Sequence, residues 1–193
     1  MSLLRTFIAV EIPVSIQQTI LQKTESLRQT LGNSLIRWVA MDNMHLTLKF
    51  LGDVSPANID SLTQMLHTEA DHISAFDMTF SGLGSFPSLR QPRVLIIGIQ
   101  APAALEALQR GIESACARLG YESESRDFHP HLTLGRVRKD ISASDQQKIR
   151  HAIEAIKIDL LGTARVDSVH LYKSDLKPTG SVYTKLFSAP LKQ

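Results

Sequence analysis

Cysteine, long apolar runs and an excess of charge of one sign are all nearly missing from this 193-residue chain. Cys116 is the single cysteine, so no intrachain disulfide can form, and its place among small residues on an expected helix marks a packed thiol rather than a nucleophile. No apolar stretch approaches the roughly 20 residues that a membrane-crossing helix needs; runs such as Val94 to Ile99 end within the length of a strand. The 21 basic and 19 acidic residues leave a formal charge of +2 and a pI of about 8.8. That balance suits an anionic ligand but excludes the dense basic surface of a general nucleic-acid binder. The opening Met1-Ser2-Leu3-Leu4-Arg5 lacks a basic head followed by an apolar run and a cleavage site, so a cytoplasmic location is expected. Low-complexity tracts, linkers and blocks of like charge are absent too. A monomer is expected.

What is present is a repeated order of elements. Arg5 to Ile12 reads as a strand, Ile16 to Leu31 as an apolar-periodic helix, and Asn43-Met44-His45-Leu46-Thr47-Leu48 as a second strand. A helix from about Ala57 to Ile73 follows the cap-like Ser55-Pro56, then a strand near Phe76 to Leu83. The second half repeats this grammar: a strand at Arg93 to Ile99, a helix from Ala101-Pro102 to about Leu119, His131-Leu132-Thr133-Leu134, a helix near Ser144 to Ile156, and a strand at about Val166 to Tyr172. Arg5 and Arg93, His45 and His131, and Leu83 and Leu171 are 88, 86 and 88 positions apart. Three landmarks with nearly one offset indicate an internal duplication. The expected fold is α+β and bilobal: two antiparallel sheets related by a pseudo-twofold axis face a central cleft, with helices outside. The expected single domain, 1–193, comprises repeats at about 5–88 and 93–175 and a final strand at 181–188 after the turn Pro178-Thr179-Gly180.

Alternate side chains of a strand share a face, so His45, Thr47 and Lys49 are expected to point into the cleft while Leu46, Leu48 and Phe50 point to the core. His131 and Thr133 repeat the pattern. A twofold axis would set the two histidines on opposite sides of one cleft. Opening a cyclic phosphodiester needs a base to take a proton from water and an acid to give one to the departing ribose oxygen, on opposite sides of phosphorus. Two imidazoles with ordinary pKa values of about 6.5 can do both near neutrality. Thr47 and Thr133 can each donate a hydrogen bond to a non-bridging oxygen as charge builds there. No metal is required by this scheme.

The two His-Leu-Thr-Leu segments resemble the paired motifs of the 2H phosphoesterase superfamily. The resemblance extends to Arg5-Thr6-Phe7-Ile8-Ala9, Arg37-Trp38-Val39, His45 through Gly52, Phe128-His129-Pro130-His131 and Leu171-Tyr172-Lys173-Ser174, which are similar to the RNA 2′,3′-cyclic phosphodiesterase branch, also called 2′-5′ RNA ligase. The resemblance implies a bilobal fold, no cofactor, and hydrolysis of a terminal 2′,3′-cyclic phosphate to a 2′-phosphate, with reverse 2′-5′ ligation as a second activity. The implied partner is RNA with a cyclic phosphate end, such as tRNA halves or nucleotide fragments. By the same carry-over, His45 is the proton donor to the leaving oxygen and His131 the acceptor that activates water. In one departure, Ile96 stands where the resemblance leads one to expect Trp.

Substrate-binding candidates are Arg136, Tyr183, Phe7 and Lys49. Guanidinium holds two phosphate oxygens at once, but Arg136 has the wrong strand parity unless a bulge at Gly135 turns it. Phe7, Trp38 and Tyr183 are candidates to stack on a base, with core packing as the plainer reading. Gly82 and Gly84 are too sparse for a phosphate loop and mark a bulge or turn. His67, His72, His151 and His170 have no repeat partner and are read as surface or packing residues. Two rival functions stay open. Asp127, His129 and His131 share strand parity and would suit a metal-dependent phosphohydrolase, and a non-catalytic RNA-end binder would keep the cleft without needing two histidines.

Overall fold

The computed structural model describes residues 2–178 and 180–193. Nine strands form two antiparallel sheets, and five α-helices cover them, among the described residues. One sheet has the order β3-β1-β8-β9, with β1 Leu4–Glu11, β3 His45–Val54, β8 Ser168–Lys177 and β9 Gly180–Pro190. The other has the order β2-β6-β5-β4-β7, with β2 Ile36–Trp38, β4 Phe76–Ser88, β5 Gln91–Gln100, β6 His131–Val137 and β7 Leu160–Val166. The α+β reading with two antiparallel sheets therefore holds. Helices α3 (Ile59–Asp71) and α4 (Ala103–Arg118) pack together behind the first sheet, while α1 (Val14–Lys23), α2 (Glu25–Leu35) and α5 (Ala143–Glu154) serve the second. No helix among the described residues is long and apolar enough to cross a membrane.

Burial follows sequence period. Leu62, Leu66 and Ala70 on α3, and Leu105, Leu108, Ile112 and Cys116 on α4, recur every three or four residues and are all buried. Burial pushes the Cys116 thiol up to about 11, as befits a packed side chain. On β1, Ile8 and Val10 enter the main core, while Phe7 and Ala9 join Tyr172 in a small second cluster on the other face. α5 starts with a capping box in which the Ser142 hydroxyl accepts from the Asp145 amide and the Asp145 carboxylate accepts from the Ser142 amide.

The structure departs from the sequence expectations at four places. The expected helix over Ile16 to Leu31 is broken at Thr24, whose Oγ1 donates back to the Ile20 carbonyl at 2.7 Å. β3 runs on through Gly52 to Val54, beyond the expected alternation from His45 to Phe50. β2 was not expected, because three residues carry too little pattern. The single strand expected at Val166 to Tyr172 is two: β7 pairs with β4, β8 pairs with β1, and Asp167 lies where the chain passes between sheets. The bulge expected near Gly82 is present, with register slipping between Ser81 and Leu83 and Gly82 at φ 76°. Of the expected Pro178-Thr179-Gly180 turn, Thr179 lies outside the described residues.

Gly135 on β6 lies under β2 so closely that a Cβ there would meet Ile36 Cγ2 at 2.6 Å and Trp38 Cε3 at 3.1 Å. Gly135→Ala is accordingly expected to destabilise the fold by about 1–3 kcal/mol, the usual cost of overpacking, read from the midpoint of urea unfolding.

Candidate active site

His45 and His131 are the first residues of β3 and β6, and both are built the same way. His45 Nδ1 lies 2.8 Å from the Asn43 carbonyl and His131 Nδ1 lies 2.6 Å from the His129 carbonyl, each two residues upstream. A carbonyl only accepts, so each Nδ1 carries the proton and donates, which leaves each Nε2 open for proton exchange. Aromatic rings hold both imidazoles. Phe7 stacks on His45 at 4.7 Å and Tyr183 meets it edge-on at 5.2 Å, while Phe86 meets His131 edge-on at 4.9 Å. Burial lowers the pKa of His45 to about 4, against the opposing pull of the Asn43 bond. His131 is lowered too, by burial first and then by the Arg136 and His129 charges.

Both strands then carry the same irregularity. β3 pairs Thr47 with Ala9 but Lys49 with Ile8, and β6 pairs Thr133 with Ile96 but Gly135 with Leu95. One residue, Leu48 or Leu134, is surplus in each strand, and beyond it the side-chain parity inverts. The burial patterns from His45 to Phe50 and from His131 to Arg136 are consequently the same. His131, Thr133 and Arg136 share one face, in keeping with the effect of the Arg136 charge on His131. The bulge that would bring Arg136 forward does exist, centred on Leu134 rather than Gly135. β3 and β6, the strands that begin with the two histidines, approach within 8 Å, Cα to Cα, at the seam between the sheets.

The same bulge overturns two expectations. Lys49 does not face the cleft: it is 5% exposed, and its Nζ donates to Glu113 Oε1 and to the Glu122 carbonyl, each at 2.6 Å, on the helix side. Phe50, expected in the core, is 64% exposed on the cleft face, 6.1 Å from Phe7. Its signal was available, since Phe50 and Arg136 stand 86 positions apart like the two histidines. Phe7 itself is only 3% exposed and lies between His45 and Tyr172, so it supports the imidazole rather than offering a stacking platform. Trp38 donates from Nε1 to the Gly32 carbonyl and lies under Arg28, a packing role.

Beside His45 opens a cleft of about 940 Å³ whose lining includes Asn43, Tyr172, Tyr183, Lys185 and His170. Glu11, opposite His45 on β1, accepts from the Tyr172 hydroxyl at 2.6 Å and pairs with Lys185 at 2.8 Å. These bonds hold its carboxyl below the ordinary value although burial pulls the other way. His170 is buried as expected of a packing residue, yet its Nε2 lies 3.6 Å from Glu11, at the wall of this cleft. His67 and His151 are exposed on outer helices, and His72 is exposed at the C-terminal cap of α3. Asp127, His129 and His131 lack the common strand that the metal reading needs, because β6 begins only at His131. Among the described residues no group of three or more His, Cys, Asp or Glu is placed to hold a metal ion.

The chain is similar over nearly its whole length to proteins of one kind. The RNA 2′,3′-cyclic phosphodiesterase of Thermotoga maritima is 31% identical over 185 residues, 95% of this chain and 94% of that one. Its counterpart in Methanothermobacter thermautotrophicus is 29% identical over 182 residues, 94% and 96% of the two chains. Among solved structures, E. coli LigT complexed with 3′-AMP superposes with a TM-score of 0.79 at 28% identity over 99% of each chain. A Thermus thermophilus protein superposes at 0.81 with 25% identity, over 97% and 98%. The family model of the 2′-5′ RNA ligase superfamily matches residues 13–178, and this chain belongs to that superfamily.

Proposed function

We propose that this protein is an RNA 2′,3′-cyclic phosphodiesterase that opens a terminal cyclic phosphate to a 2′-phosphate by metal-independent acid–base catalysis between His45 and His131. The observation that carries this reading is the pair of matched imidazoles, each tied through Nδ1 to the carbonyl two residues upstream and each with Nε2 free. Relatives along the whole chain bear that name, which supports the substrate class. Thr47, Thr133 and Arg136 lie on the faces of their histidines and serve to bind the non-bridging oxygens. Tyr183 lines the cleft and stacks on the nucleoside. Reverse 2′-5′ ligation follows from the same geometry if a ribose hydroxyl replaces water. The protein works as a cytoplasmic monomer in this reading.

The roles of the two histidines follow from where the nucleoside fits. In a cyclic phosphate the departing oxygen remains on the ribose, so the acid must stand on the nucleoside side and water must enter opposite. The large cleft adjoins His45. This supports His45 as the donor and His131 as the acceptor, the assignment that the family resemblance implies.

We also read the chain as one domain built by duplication. The neighbours β3-β1-β8 in one sheet match β6-β5-β4 in the other, with matched bulges in β3 and β6. β9 beside β8 corresponds in place to β7 beside β4, a counterpart the sequence did not reveal.

Incubation in excess chelator with a short RNA ending in a 2′,3′-cyclic phosphate is expected to give the 2′-phosphate isomer. His45→Ala and His131→Ala are each expected to lower kcat by at least about 10²–10⁴-fold, the worth of one proton transfer. Loss of wild-type turnover in chelator would restore the metal reading, and binding without turnover would restore the RNA-end binder. The pH profile supplies an independent check. The active form needs one charged and one neutral imidazole, and the free protein's values are about 4 for His45 and below 6.5 for His131. Above both the acid is missing, and below both the base is missing, so kcat/KM should peak on the acid side of pH 6.5. The bound anion favours imidazolium, so the alkaline limb of kcat should lie at higher pH than that of kcat/KM; a kcat/KM maximum above pH 8 would contradict this.

A further inference from the structure

Lys49 has no role in the cleft, yet it is a charged side chain kept 5% exposed in a core that apolar residues would fill equally well. Its place explains it. The Nζ donates to Glu113 Oε1 on α4 and to the Glu122 carbonyl, and the same Glu113 oxygen accepts the Glu124 amide at 2.8 Å. Both partners beyond α4 belong to residues 122–130, which form neither helix nor strand and are mostly exposed. That segment ends in His129 and Pro130, and the His129 carbonyl is what holds His131 Nδ1 at 2.6 Å.

The other half is braced reciprocally. The segment that carries the Asn43 carbonyl follows β2, which pairs along β6, and the Val39 amide donates to the Leu134 carbonyl at 2.8 Å. His45's support is thus anchored on the strand of His131. We propose that the Lys49–Glu113 pair is the converse brace: Lys49 is a positioning residue that fixes His131 by anchoring its supporting segment on the strand of His45. The bulge at Leu48 turns Lys49 toward this segment, and at the matched position in β6 Gly135 leaves room for β2. The proposal rests on the reading of His45 and His131 as the reacting pair.

Two full-length variants separate positioning from mere stability. Lys49→Met leaves the Glu113 carboxylate unpaired, so it should lower both Tm and kcat. Lys49→Met with Glu113→Leu replaces the pair by apolar side chains and should recover much of the Tm, while kcat stays down by about 10- to 100-fold with KM little changed, as expected of a displaced catalytic group. Imidazole ¹⁵N spectra of the folded, substrate-free proteins give a readout that stability does not move. In both variants His131 should shift from the single Nδ1–H tautomer toward a mixture while His45 keeps its own. A double variant with the wild-type His131 signature and wild-type kcat would overturn the proposal. Because the spectra need no substrate, they test the brace even if the wild type proves to have no turnover on cyclic phosphate RNA, which would instead defeat the functional reading.

Discussion

One surplus residue three positions past each histidine governs which way the side chains that follow it face. A regular strand would send residues at odd spacing from the histidine to the back and those at even spacing to the front. With Leu48 and Leu134 inserted opposite β1 and β5, the order inverts three residues past the histidine. Arg136 and Phe50 come forward, and Lys49 and Gly135 go back. The face of His131 thereby gains a cation and the face of His45 an aromatic surface, from two strands that are otherwise alike. That difference fits a substrate whose two ends differ, an anion at one and a nucleoside at the other.

The aromatic surroundings set the resting charge of the site. His45 is enclosed by Phe7 and Tyr183 and titrates at about 4, so at neutral pH it is uncharged in the empty protein. Serving as acid near pH 7 requires a rise of about three pH units, or about 4 kcal/mol. A single negative charge about 4 Å away in a medium of effective dielectric near 20 supplies about that much. A phosphodiester monoanion bound at that distance would be sufficient to charge His45, the proposed donor. In the proposed reaction the substrate carries the charge that arms the acid, and an uncharged ligand of the same shape would leave it unarmed.

Most of the element order, both His-x-Thr pairs and the antiparallel α+β class were legible in the sequence because they rest on local period and on a repeated motif. What failed was non-local. A bulge is a mismatch between two strands, so neither β1 nor β3 alone announces it, and Lys49 and Phe50 were each assigned to the wrong face. The exchange between β7 and β8 did leave a local trace: main-core positions are even at Ala164 and Val166 and odd at Val169 and Leu171, although His170 and Tyr172 between and beyond the latter are buried too. For Phe7 the plainer reading, packing, is the one its burial supports. Its strand and its face were right, but the imidazole it touches already covers its ring. Glu11, Lys185 and His170 are polar residues on three strands, joined by pairings that no spacing in the chain reveals.

Two imidazoles that act on one phosphorus must keep a fixed separation, and a bilobal protein tends to let its halves move. Here neither histidine is supported from its own half alone. Asn43 is carried by a segment bonded to β6, and His129 by a segment that Lys49 grips from β3. A displacement of one sheet against the other would therefore strain the support of both rings together, whereas lobes with self-contained supports could drift while each site stayed locally intact. Placing a desolvated ion pair in this brace is costly, but its charge-assisted bonds are directional where an apolar contact would slide. An irregular segment such as 122–130, which is tied to β5 where the Pro130 carbonyl accepts from the Ile99 amide, needs that direction at its far end more than it needs the burial.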